Sequence, residues 1–205
     1  MGNESTWDAD LLYSLHEYWI NPESREIWIR GIDGNQVLET ITDNIPEGGV
    51  EYQMATRTIM NLNYLKSLDK EAPVTIHLHT CGGESEQGMA IYDAIRSMPY
   101  WVTIVGYADI RSMSSIIFLA GDEKLMMPNS KFMIHYGEYY TFGEMKTVEA
   151  DFNEDKKFNK FMDKLYSDKS DFSRKEIKKM LESKRNIWFN AKQAVKHGFA
   201  DGIYE

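Results

Sequence analysis

Apolar positions along this chain change period several times, and the changes mark out its elements. Glu26 to Arg30 alternates polar and apolar residues and predicts a first strand. From Val50 to Leu68, Val50, Met54, Leu62, Leu65 and Leu68 follow helical spacing. Pro73 breaks that helix. Val74 to His79 alternates strictly, as a half-buried strand does, which puts His77 and His79 on its polar face. Cys81-Gly82-Gly83 follows as a tight turn, and Glu84 to Met98 reads as helix. Trp101 to Val105 predicts the next strand, and Ser112 to Ala120 a short apolar helix. Lys124 to Pro128 and Lys131 to His135 predict two more short strands. A loop rich in Gly and Tyr spans 136–143, and a long charged amphipathic helix spans 144–167. Ser173 with Glu176, and Asn190 with Gln193, are two capping boxes, and Gly198 closes the second helix. Strand and helix in alternation predict βαβ crossovers, a parallel sheet and an α/β fold.

Residues 1–25 differ from the rest. They are polar with scattered aromatics (Trp7, Tyr13, Tyr18, Trp19) and read as an arm, helical around Leu11 to Trp19. Residues 31–49, with four glycines and Pro46, read as loops. The remainder, 26–205, is expected to be a single domain, since 205 residues suit one core.

Charge and composition narrow the function. A net charge of −9 with no basic block excludes a nucleic-acid partner. The basic run Arg174-Lys175 with Lys178-Lys179 carries Glu176 inside it and reads as a solvated helix face. One cysteine excludes an internal disulfide framework and suits a reducing, cytoplasmic compartment. No apolar run reaches the ~18 residues that a membrane span requires. The first residues lack the basic and apolar regions of a signal peptide. Gly2 and Thr6 fit a loose acylation pattern, but the flank is acidic and one acyl chain anchors weakly. No membrane partner is expected.

Candidate chemistry gathers where strands end. Ser112 lies at a strand-to-helix junction, where free N–H groups favour developing negative charge. The same place suits an ordinary N-cap serine. A serine nucleophile needs a base, a group that orients the base, and an oxyanion hole. Of five histidines, His135 ends an apolar strand beside a loop and can reach a pocket there. Gly82-Gly83 ends the preceding parallel strand, so both turns should face one crevice. N–H groups of Gly83 and Met113 could then point at one oxygen. Cys81 offers a second nucleophile, against the commoner use of such a residue as a small buried hydrophobe.

These residues carry a family resemblance. Gly106-Tyr107-Ala108, Ser112-Met113-Ser114-Ser115-Ile116-Ile117, Ala120-Gly121, Met127-Pro128-Asn129-Ser130 and Met133-Ile134-His135 resemble the active-site core of ClpP, the proteolytic subunit of the ATP-dependent Clp protease. Cys81-Gly82-Gly83 with Gly88 to Asp93 resembles that family's glycine turn and following helix. Asn190 to Val195, Gly198 and Ala200 to Ile203 resemble its terminal helix and strand. The match runs over about 26–204 and is nearest the divergent, phage-type members. It implies a ClpP/crotonase-like α/β fold with repeated β-β-α units and a long handle helix. It implies a serine endopeptidase with Ser112 as nucleophile, His135 as base, and Gly83 and Met113 as oxyanion donors. It also implies a homo-oligomer of two stacked rings and an AAA+ unfoldase that spends ATP to feed in unfolded protein. The chain itself would hold no cofactor and no metal. The arm would lie at the axial pore or pack on the ring, and the handle helix would join the rings.

Three departures from the family pattern set expectations of their own. Asn186 stands in the place of the family's third catalytic residue, an aspartate. It orients His135 weakly, marks an inactivated site, or is replaced by another acid; Asp171 and Glu182 are near in sequence. Asp109-Ile110 reads as an insertion that lengthens the approach to Ser112. Cys81 stands where the family has proline. Two rival readings follow: a weakly active or inactive structural ring subunit, and a crotonase-type enzyme acting on acyl-CoA thioesters.

Overall fold

The computed structural model describes residues 9–31, 49–138, 141–183 and 185–205. The Gly2–Thr6 pattern and nearly all of the loops expected over 31–49 lie outside the described residues.

A helix, α1 (Ala9–Tyr18), leads into β1 (Ile20–Asn21), which pairs antiparallel with β2 (Glu26–Arg30). Trp19 and Ile20 are buried, and the Arg57 guanidinium lies 4.1 Å from the Trp19 ring centroid. The end of the aromatic arm therefore packs on the main sheet.

Helix α2 (Tyr52–Leu68) starts at Glu51, whose carboxylate accepts from the N–H groups of Gln53 and Met54. An acceptor there satisfies two donors that the first turn leaves free. Its inner face, Met54, Ala55, Thr58, Leu62 and Leu65, covers the sheet. The chain continues through β3 (Val74–His79), α3 (Ser85–Arg96), β4 (Val102–Gly106), β5 (Asp109–Arg111), α4 (Met113–Phe118), β6 (Glu123–Met126) and β7 (Lys131–Ile134). It closes with α5 (Met145–Asp168), α6 (Arg174–Glu182), β8 (Ile187–Asn190), α7 (Ala191–Lys196) and β9 (Gly202–Ile203). Both expected capping boxes form, at Ser173 with Glu176 and at Asn190 with Gln193.

The strands make two sheets. The larger has the order β1-β2-β3-β4-β6-β9 and is parallel from β2 onward. The smaller has the order β5-β7-β8, with β5 parallel and β8 antiparallel to β7. An aromatic cluster fastens the small sheet to the core. Phe132 of β7 stacks on Phe199 at 4.8 Å and lies within 6.0 Å of Phe118 from α4.

The α/β class and the parallel crossovers agree with the sequence reading, but three details differ. β6 and β7, read alike from sequence, belong to different sheets. Asp109-Ile110 is not a slack insertion: it forms β5, with Asp109, Ile110 and Arg111 opposite Lys131, Phe132 and Met133. Ile110 is fully buried against Gly106, where a Cβ would meet its Cδ1 at 2.1 Å. Third, β3 is not half-exposed throughout. His77 is only 9% exposed, stacks on Trp28 at 4.7 Å and bonds the Tyr107 hydroxyl at 3.0 Å. Neighbouring aromatic side chains cover a face that alternation alone marks as polar.

Candidate active site

The small sheet brings three candidates together. β5 ends at Arg111 opposite Met133, and the Ser112 N–H donates to the Met133 carbonyl at 3.2 Å. Ser112 thus leaves β5 beside the end of β7, just ahead of His135. On the other side of β7, Ile134 pairs with Ile187, so the next step of the antiparallel ladder sets His135 opposite Asn186. Ser112, His135 and Asn186 accordingly lie one residue beyond three adjacent strands, at one end of one sheet.

Ser112 has φ 56° and ψ −130°. Such a backbone costs a residue with a side chain about 1–3 kcal/mol and persists only where its surroundings enforce it. A sharp strand-to-helix turn of this kind lifts a serine hydroxyl clear of the backbone. Ser112 occupies the N-cap position of α4, yet its side chain makes no capping hydrogen bond. The N-cap position explains its place in the chain, but its hydroxyl does not serve as the cap.

The glycine turn docks on this elbow. A Cβ on Gly82 would stand 2.8 Å from Ser112 Cβ and 2.9 Å from the Met113 nitrogen. Gly82 has φ +100° and Gly83 φ +152°, conformations open to glycine. The Gly82 carbonyl accepts from Val50 N–H at 2.7 Å, so the turn is held on its far side as well. Among the described residues the N–H groups of Gly83 and Met113 have no backbone acceptor in a loop or cap.

His135 is half-buried, and its Nε2 has no hydrogen-bond partner among the described residues. The side chain of Asn186 acts on the imidazole in the direction of a hydrogen-bond acceptor, favouring the protonated ring. Burial pushes the His135 pKa below the usual imidazole value; the Asn186 bond and the Glu138 charge oppose this, and Arg111 adds to it. The ring is therefore neutral at neutral pH. Neither Asp171 nor Glu182 is among the groups that act on the His135 ring. The Asp171 backbone bonds the His197 carbonyl, and the Glu182 charge bears on Tyr136. Cys81 is half-buried with its Sγ 3.8 Å from the Gly82 carbonyl, and burial pushes its thiol pKa up. A thiol kept protonated is a poor nucleophile.

Sequence reasoning missed the support behind the site. Asp163 accepts from the Tyr136 hydroxyl at 2.7 Å across 27 positions, and Tyr166 bonds Ser115 Oγ at 2.7 Å across 51. Both come from α5. No local pattern announces such pairs; only the buried polar residues on an amphipathic helix hint at them. Among the described residues no group of His, Cys, Asp and Glu is placed to hold a metal.

The family model for Clp protease matches residues 41–205. The chain belongs to the Clp protease family. Among curated Clp protease proteolytic subunits, that of Streptococcus uberis is 31% identical over 162 residues, 77% of this chain and 82% of that protein. Subunit 2 of Treponema denticola is 28% identical over 158 residues, 76% and 78% of the two chains. A solved structure of a ClpP1 point mutant from Listeria monocytogenes superposes with a TM-score of 0.73 at 22% identity, covering 90% of this chain and 93% of that one. The fold is thus that of ClpP, and the chain is a divergent Clp protease subunit of the serine-hydrolase class. The acyl-CoA reading is set aside.

Proposed function

We propose that this chain hydrolyses peptide bonds of unfolded proteins with Ser112, His135 and Asn186 as its catalytic residues. One observation carries the reading: at one end of the small sheet a strained serine with no capping bond, a half-buried histidine whose Nε2 has no partner among the described residues, and an asparagine that acts on that histidine come together. Ser112 Oγ attacks the scissile carbonyl carbon as Nε2 of His135 takes its proton. The tetrahedral oxyanion is held by the N–H groups of Gly83 and Met113. The intermediate collapses, Nε2 returns the proton to the leaving amine, and an acyl-enzyme remains. Water, deprotonated by the same nitrogen, then releases the acid. The Asn186 oxygen accepts Nδ1–H, which keeps the Nε2 lone pair facing the serine. A neutral oxygen stabilises the imidazolium less than a carboxylate, so turnover is slow but not absent.

In this reading residues 26–205 make one peptidase domain, and residues 1–25 form an arm against the ring or its axial pore. Copies assemble as stacked rings, joined through α5 and the loop before it. An AAA+ partner spends ATP to deliver unfolded chains, and the assembly works in the cytoplasm. Among the described residues no helix is long and apolar enough to cross a membrane. The test is degradation of a reduced, carboxymethylated protein. Ser112→Ala and His135→Ala should each fall to the uncatalysed background. Retained cleavage in Ser112→Ala would contradict the reading.

A further inference from the structure

Ser112 cannot hold its left-handed backbone unaided, because α4 after it is a single short turn-and-a-half. What fixes the elbow lies behind it. Its carbonyl accepts two bonds from one residue: the Ser115 N–H at 2.9 Å and the Ser115 hydroxyl at 2.7 Å. Ser115 Oγ in turn lies 2.7 Å from the Tyr166 hydroxyl. Proton counting sets the direction. A serine hydroxyl has one proton, and here it goes to the Ser112 carbonyl, so Tyr166 donates to Ser115. Burial pushes the Tyr166 pKa well up, which keeps that donor protonated. Ser115 and Tyr166 are both fully buried. An alanine and a phenylalanine would fill the same space without two hydroxyls to satisfy, so packing alone does not call for this pair.

Resting on the assignment of Ser112 as nucleophile, we propose that Ser115 and, behind it, Tyr166 of α5 are positioning residues that hold the Ser112 elbow in its strained conformation. The chain runs Tyr166 O–H to Ser115 Oγ, and Ser115 O–H to the Ser112 carbonyl. It acts on the backbone of the nucleophile and touches no substrate. Its loss lets the Ser112 peptide rotate and the hydroxyl drift from His135. A displacement of ~1 Å at a reacting atom can cost about 10²-fold, so a partial relaxation should cost about tenfold.

Three variants test this: Tyr166→Phe, Ser115→Ala and the double variant, with thermal midpoint, kcat and KM measured on a short peptide ester. Ser115→Ala leaves the buried Tyr166 hydroxyl unpaired and should lower the thermal midpoint; in Tyr166→Phe the Ser115 hydroxyl keeps the Ser112 carbonyl, so the midpoint should fall less. The double change removes both hydroxyls and should restore it. Positioning predicts that kcat stays about tenfold down in the double variant while KM is unchanged. A purely structural pair predicts that kcat recovers with the midpoint, and that result overturns the inference. A fluorophosphonate mapped to Ser112 in the unmodified protein is measured alongside. Labelling at Ser112 with wild-type kcat in the double variant overturns this inference alone. Absence of labelling at Ser112 overturns the nucleophile assignment and this inference with it.

Discussion

At the scale of single residues the proposed chemistry turns on His135. Its pKa lies below the ordinary imidazole value of 6.5, with burial as the leading cause. The base must be neutral to accept the serine proton. Hydrolysis should therefore rise with pH through a midpoint below 6.5 and stay flat through neutrality; a pH–rate profile with its acid limb above 6.5 would count against His135 as base. Asn186→Asp places a negative charge at Nδ1, which favours the imidazolium. That change should raise kcat at least about tenfold, within the roughly 10⁴-fold that the reverse exchange costs a serine protease. It should also move the acid limb to higher pH, because the charged form is then favoured. Unchanged kcat and an unchanged limb would show that Asn186 does not act on His135. Ser112, His135, Gly83 and Met113 could be proposed from the sequence because each stands at or near the end of an element. Asn186 was legible only through the resemblance, since its partner is 51 positions away and joined by strand pairing rather than by any local motif.

At the scale of elements, the site is one turn leaning on another. Gly82 touches the elbow so closely that a methyl group has nowhere to go: the Arg111 carbonyl would lie 2.7 Å from it. The glycine also holds φ +100°. Gly82→Ala should abolish turnover and lower stability by about 1–3 kcal/mol through backbone strain and overpacking. Wild-type kcat and thermal midpoint in that variant would show that the two turns do not depend on each other. Long elements were readable because their apolar positions repeat; α2, α3 and α5 start and end within a few residues of expectation. β5 was not, because three residues with one apolar side chain carry no period. Nor could periodicity separate β6 from β7, which differ in the sheet they join rather than in their pattern. The buried state of His77 was hidden for a related reason. Its cover comes from Trp28 on β2 and from Tyr107 just beyond β4.

For the whole molecule, the account makes a peptidase that works as part of a larger body. Exposed apolar side chains on α2 (Tyr52, Met60, Tyr64, Leu68) and near or on α5 (Phe142, Met145, Phe152) offer surface that contacts with other subunits would cover. Light scattering on the purified protein should give a mass many times 23.8 kDa. A monomer at micromolar concentration would contradict stacked rings. Charge and hydropathy argue against nucleic-acid and membrane partners, whereas the proposed assembly and its unfoldase rest on family membership and not on any residue pattern. The central claim, that Ser112 is the nucleophile, is reached most directly by treating the protein with a fluorophosphonate and mapping the modified peptide by mass spectrometry. The account predicts one adduct per chain on Ser112, lost in His135→Ala and formed faster in Asn186→Asp. An adduct on any other residue, or none on Ser112 after prolonged exposure, would contradict it.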